Sequence, residues 1–231
     1  MKASFWHKCW ERNSLGFHQE QVHPFLSQYL LPLMNKQDKH VFVPLCGKSL
    51  DMFWFAQYMQ VSGSELSDIA CRDFFVDANI DAQTITYQSN HEAEPFTQFS
   101  FDNITLWQGD FFKLNAKELA LNKESPVNWI YDRAALIALP LEMREAYIEH
   151  LVSFIGAETK LFLISIEFPQ EEMSGPPFSV TQQDVSELFL LADKTCNIEC
   201  ISTRELENKR FGQRKFDVSY LRERLYIITK I

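Results

Sequence analysis

No apolar run in the sequence approaches the ~18 residues of a membrane-spanning helix, and its longest greasy stretches are strand-sized and broken by charge. The N-terminus shows no basic segment followed by an apolar signal core. The five cysteines, Cys9, Cys46, Cys71, Cys196 and Cys200, are odd in number and lack the regular spacing of a disulfide scaffold. These absences point away from a membrane span and from a secreted, disulfide-stapled chain, and toward a soluble protein in a reducing cytoplasm. A basic excess is missing too: 22 Lys and Arg against 31 Asp and Glu give a net charge of −9. Nucleic-acid binding depends on Lys and Arg neutralising phosphates, so this balance disfavours a nucleic-acid partner. Internal repeats, low-complexity tracts and clear linkers are also lacking, and 231 residues suit one α/β domain with an elaboration.

What is present alternates. Residues 5–12 and 20–33 have helical character, separated by Asn13-Ser14-Leu15-Gly16-Phe17-His18, where the periodicity breaks. The run 41–45 reads as a strand, 49–59 as a helix and 61–65 as a strand, with Ser67-Asp68 capping a further helix. The segments 84–87, 96–101 and 104–107 read as short strands or loop edges, with Gly109-Asp110 as a turn before Phe111-Phe112. A buried strand at 127–131 ends at Asp132-Arg133; a helix over 141–155 ends at Gly156, and 160–167 is the most apolar strand. After the rigid loop 169–178 come a Thr-capped helix at 181–191 and strands at 197–202 and 225–229, which flank a charged loop at 204–214 and suggest an antiparallel hairpin at a sheet edge. Alternating strands and helices imply a mostly parallel sheet.

The strand Val41-Phe42-Val43 runs into Pro44-Leu45-Cys46-Gly47-Lys48-Ser49, and the second strand ends in Glu65. Strand, tight turn, helix, strand and carboxylate is the order that holds an adenosine, with the acid set to grip ribose hydroxyls. A triphosphate-binding loop would need another glycine five residues before Gly47, where Phe42 stands. A dinucleotide fingerprint would need further glycines where Lys48, Ser49 and Leu50 stand, because a pyrophosphate requires unobstructed backbone. A turn with one glycine suits a ligand without a pyrophosphate, and S-adenosylmethionine (SAM) is such a ligand. The plainer alternatives are an ordinary β–α turn and, for Glu65, a solvated strand end.

Asp132-Arg133 forms a second acid–base pair, at the strand edge where open α/β sheets bind ligands. Arg133 would orient an electron-rich acceptor, and Asp132 would hold Arg133 or accept a proton; a structural ion pair is the alternative. Cys196 and Cys200 with His18 and His23 do not make a compact ligand set, so no metal is expected. Aromatic residues make up 14% of the chain; most belong to the core and the remainder could line a pocket for a flat ligand.

Six motifs in order, Phe5-Trp6-x-x-x-Trp10, Gly16-Phe17-His18-Gln19-Glu20, Pro44-Leu45-Cys46-Gly47-Lys48-Ser49-x-Asp51-Met52, Glu65-Leu66-Ser67, Tyr131-Asp132-Arg133-Ala134-Ala135-Leu136 and Gly175-Pro176-Pro177-Phe178, span nearly the whole chain. Together they resemble the thiopurine S-methyltransferase family. The resemblance implies a class I SAM-dependent methyltransferase: an α/β, Rossmann-like, seven-stranded and mostly parallel sheet with a C-terminal antiparallel hairpin. Residues 1–231 would form a single domain, with 1–38 as an N-terminal helical arm covering the cofactor. By position, Trp10, Leu45, Glu65 and Arg133 would contact SAM, Asp110 and Phe111 would frame the adenine, and Phe17 would face the acceptor. The departures are local, at Ser62-Gly63-Ser64 and Gly109. The expected reaction is methyl transfer to the sulfur of an aromatic or heterocyclic thiol such as a thiopurine, by a monomer acting on a small molecule. Methylation of selenium or tellurium compounds, a non-catalytic SAM-binding module and a nicotinamide-dependent oxidoreductase are the alternatives.

Overall fold

The computed structural model describes residues 3–16, 18–87, 95–120 and 126–231. The chain forms two compact halves, Lys2–Pro126 and Val127–Ile231.

The first half opens with α1 (Ala3–Glu11), whose one buried residue is Trp10. The expected helix over 20–33 is shorter and irregular: a π-turn (Leu26–Leu30) runs into α2 (Leu31–Leu33). Pro32 explains the irregularity, since it has no N–H to return to the preceding turn, and the Leu31 N–H reaches back five residues to the Leu26 carbonyl. There follow β1 (His40–Val43), α3 (Asp51–Phe55), β2 (Gln60–Glu65), α4 (Asp68–Val76), β3 (Gln83–Tyr87), β4 (Phe96–Phe101), β5 (Ile104–Gln108) and α5 (Ala116–Ala120). The predicted Ser67 cap is present: its side chain accepts the Ala70 N–H, and α4 buries Ala70, Cys71, Phe74 and Phe75 along one helical face. In space the strands run β3-β4-β5-β2-β1. β2 is parallel to β1 and β5, while β4 is antiparallel to β5 and β3.

The second half contains β6 (Trp129–Asp132), α6 (Leu141–Val152), β7 (Lys160–Glu167), α7 (Gln182–Ala192), β8 (Cys196–Glu205), a hairpin of β9 (Arg210–Phe211) and β10 (Arg214–Lys215), and β11 (Arg222–Lys230). The spatial order is β6-β7-β11-β8; β6 and β7 are parallel, and β11 is antiparallel to β7 and β8. β7 is buried along all but its first residue, as a strand covered on both faces must be. The capping box at α7 is complete, with Thr181 and Asp184 exchanging side-chain and backbone hydrogen bonds.

The fold is thus the mixed α/β architecture with the antiparallel C-terminal hairpin. The halves carry five and four sheet strands among the described residues, two more than the seven that the resemblance implies; the antiparallel pair β3 and β4, at the strand candidates 84–87 and 96–101, makes the difference. The charged stretch from Arg204 is less of a loop than its composition suggests. β8 runs on to Glu205, because Arg204 pairs with the buried Glu223 of β11 at 2.6 Å and Arg222 pairs with Glu205.

Gly63 lies opposite Val43 in the β1–β2 ladder, and a Cβ there would stand 2.6 Å from Cys46 Sγ and 2.7 Å from Leu106 Cδ2. Gly63→Ala is expected to destabilise the protein by about 1–3 kcal/mol through overpacking, read as a lower denaturant midpoint with unchanged slope.

Candidate functional site

After β1 the chain turns sharply, with Leu45 at φ +46° and Gly47 at φ +53°. Gly47 adopts this left-handed conformation freely, whereas for Leu45 it costs roughly 1–2 kcal/mol. The end of β2 holds the turn in place. Leu45 N–H donates to Ser64 Oγ (3.3 Å), Cys46 N–H to the Ser64 carbonyl (2.8 Å) and Gly47 N–H to Glu65 Oε2 (2.9 Å). The other Glu65 oxygen, Oε1, accepts the Ser67 N–H at 2.7 Å, and its carbonyl accepts the Gly109 N–H at 2.9 Å. Glu65 is buried. Burial raises its carboxyl above the usual range, and the amide hydrogen bonds from Ser67 and Gly47 work against that rise. Each oxygen takes a backbone amide, Oε2 from Gly47 and Oε1 from Ser67, and the Leu66 amide also acts on the carboxylate; with about four lone-pair sites, a carboxylate so held can still accept a ligand hydroxyl.

Lys48 and Ser49, the residues that invite a phosphate-loop reading, are engaged within the fold. Lys48 Nζ lies 2.8 Å from Asp77 and 3.8 Å from Asp73, and Ser49 Oγ accepts the Asp51 N–H at 3.3 Å. The turn thus presents no cation of its own. Asp110 caps the short 3₁₀ turn Phe111–Lys113, accepting the Phe112 N–H at 3.1 Å, and the buried Phe111 ring stacks on Phe42 at 6.3 Å. Trp10 is buried in a small cluster with Leu15 and Ala70. Phe17 lies outside the described residues.

In the second half, Asp132 and Arg133 are both buried at the end of β6. The Asp132 carboxylate serves the chain that follows: Oδ1 accepts the N–H groups of Ala135 (3.0 Å) and Leu136 (3.2 Å), and Oδ2 accepts the Tyr147 hydroxyl (2.8 Å). Burial pushes its pKa up to about 6, against the opposing effects of these hydrogen bonds and the Arg133 charge. The Gly175–Phe178 segment is fastened at both sides. Phe178 N–H donates to the Ile137 carbonyl (2.7 Å), and the Phe178 ring lies so close over Gly175 that a Cβ there would meet it at 2.4 Å. Arg144 of α6 donates to the carbonyls of Leu139 and Ser179, both at 3.0 Å.

Sequence reasoning singled out Glu65, Gly47, Asp132 and Arg133 and missed Ser64, Ser67 as a Glu65 partner, and Tyr147. The polar Ser62-Gly63-Ser64 run in a buried strand is the one signal for Ser64. Nothing local marks Tyr147, fifteen residues from its partner. Among the described residues no cluster of His, Cys, Asp and Glu could hold a metal ion, and no helix is long and apolar enough to cross a membrane.

Residues 1–231 match the family model described as thiopurine S-methyltransferase (TPMT). A thiopurine S-methyltransferase of Photobacterium profundum is 38% identical over 229 residues, covering 99% of each chain, and one of Shewanella frigidimarina is 39% identical over 231 residues, covering 100% of this chain and 99% of its own. Among solved structures, a SAM-dependent methyltransferase of Anabaena variabilis superposes with a TM-score of 0.63 at 15% identity, covering 99% of this chain and 95% of its own. A magnesium protoporphyrin IX methyltransferase of Synechocystis with bound SAH gives 0.59 at 16% identity, covering 99% of each.

Asp132 also sets a pH dependence. Its folded pKa of about 6 exceeds the ordinary 3.8, so between these values the folded state keeps a proton that the unfolded state has lost. The contribution to stability is full below about pH 4 and falls by ~3 kcal/mol as pH rises through 6. Urea unfolding at intervals from pH 4 to 7 should show this decline in the wild type and a flatter profile in Asp132→Asn.

Proposed function

The chain belongs to the thiopurine S-methyltransferase family and is a SAM-dependent methyltransferase, and from that premise we propose that it methylates the sulfur of a small aromatic or heterocyclic thiol. The observation that carries the cofactor assignment to particular residues is the double engagement of Glu65 with the Gly47 and Ser67 amides. A carboxylate held this way still has capacity to accept a ribose hydroxyl, beside a turn whose lysine faces Asp77. Such a site fits an adenosine ligand that carries no phosphate. Trp10, Leu45, Gly47, Glu65, Asp110, Phe111 and Arg133 would hold SAM, which supplies an electrophilic sulfonium methyl.

The bound SAM would supply its methyl to an ionised thiol sulfur, the electron pair of the broken carbon–sulfonium bond going to S-adenosylhomocysteine. The protein's task is to align three atoms in line and exclude water, and proximity provides most of the rate. Arg133 would favour the thiolate electrostatically. Asp132 would act as a positioning residue for the turn that follows it, since its oxygens already accept three hydrogen bonds. Phe17 would face the acceptor.

The family model spans both halves, which supports reading residues 1–231 as one domain with 1–38 as an arm over the cofactor. Free thiols at all five cysteines agree with a cytoplasmic location, and a monomer is the working state.

Calorimetric titration with SAM should show binding by the wild type, weakened by about 1–3 kcal/mol in Glu65→Ala as charge-assisted hydrogen bonds are lost. Labelled-methyl transfer to a panel of aryl thiols, selenols, selenite and tellurite then tests the acceptor. Turnover confined to the selenium or tellurium compounds would replace the thiol assignment, and binding without any turnover would leave a SAM-binding module.

A further inference from the structure

Asp51 is the first residue of α3, two positions after the cofactor turn, and is 2% exposed. A carboxylate this buried must be compensated by specific partners. One of them is distant in sequence: Oδ1 accepts the backbone N–H of His23, 28 residues earlier, at 2.8 Å. The backbone of Asp51 is itself held to the turn, through its N–H to Ser49 Oγ.

The donating segment is equally well fixed. His23 is buried, its Nδ1 accepts the Phe25 N–H at 3.2 Å, and its ring packs edge-on against Phe25 at 4.9 Å. Phe25, Leu26 and Leu30 follow directly into the core. Upstream, the N-terminal segment has a second fixed point, where Trp10 and Leu15 pack on Ala70 in the first turn of α4. The two fixed points thus lie at the starts of α3 and α4, the helices whose first residues are organised by the turn and by Glu65.

We propose that Asp51 is a positioning residue for cofactor binding, latching the N-terminal segment to the cofactor turn through the His23 amide so that turn and arm move as one unit. The proposal rests on the methyltransferase reading above. An acid in the first turn of a helix also favours the helix dipole, but that effect needs no contact with residue 23.

The test compares the full chain as wild type, Asp51→Ala and Asp51→Asn by amide hydrogen exchange without ligand and by calorimetry with SAM. Asp51→Ala is expected to exchange at least about tenfold faster across residues 3–16 and 18–30 and to bind SAM about tenfold more weakly, the scale of one charge-assisted hydrogen bond. Asp51→Asn, whose carboxamide oxygen can still accept the His23 N–H, should restore both toward wild type. Asp51→Ser, too short to reach that amide, serves in the same way should Asp51→Ala not fold. Unchanged exchange in Asp51→Ala, or an Asn variant as impaired as Ala, overturns the latch. Faster exchange with wild-type SAM affinity overturns the positioning role. Failure of the wild type to bind SAM overturns the cofactor assignment itself, and the ligand-free exchange comparison separates that failure from failure of the latch.

Discussion

The buried Glu65 carboxylate is the interaction on which the first half of the molecule depends. It stands where the parallel strand β2 ends, and its two oxygens accept one amide from the turn after β1 and one from the start of α4. Without those amides a carboxylate at this depth would be strongly disfavoured; without the carboxylate the Gly47 and Ser67 N–H groups would lose their acceptor. The reciprocal need holds Leu45 and Gly47 in left-handed conformations and so keeps the turn in one shape before any ligand arrives. Methyl transfer by direct displacement is sensitive to alignment, so a turn already in its final shape reduces the ordering that binding must achieve.

The second half repeats the device with a different outcome. Asp132 also ends a parallel strand and also turns its oxygens to following amides, but Tyr147 occupies the remaining one. Its hydrogen bonds make it a support for the Ala135–Leu136 turn. The neighbouring Arg133 is thereby carried on a fixed backbone, which suits an electrostatic role more than proton transfer. The two acids look equivalent as residue types at strand ends, and their partners distinguish them.

Much of the architecture was legible from local pattern. β7 coincides with the predicted residues 160–167, and α7 begins where its Thr cap predicts, because burial on both faces and capping chemistry each leave a direct mark on the residues involved. Extent was less legible. The helix over 141–155 stops at Val152, before Gly156, and β8 absorbs charged residues that read as loop. The latter holds because Arg204 finds Glu223 on the adjacent strand, a partner nineteen positions away. The π-turn before Pro32 was likewise not visible in periodicity alone.

For the site, the sequence by itself determined which chemistry was available. One glycine in the turn excluded a phosphate cradle, the spacing to Glu65 marked an acid at the next strand end, and the ordered motifs identified the family. Those are properties of residue types at fixed separations along one chain. Only the tertiary structure decided what each polar atom does: that Lys48 faces Asp77, that Glu65 holds two amides, that Tyr147 closes Asp132, and that His23 reaches Asp51. A hydrogen bond is set by distance and direction in three dimensions, and residues separated by 15 to 29 positions meet only once the strands and helices between them have packed.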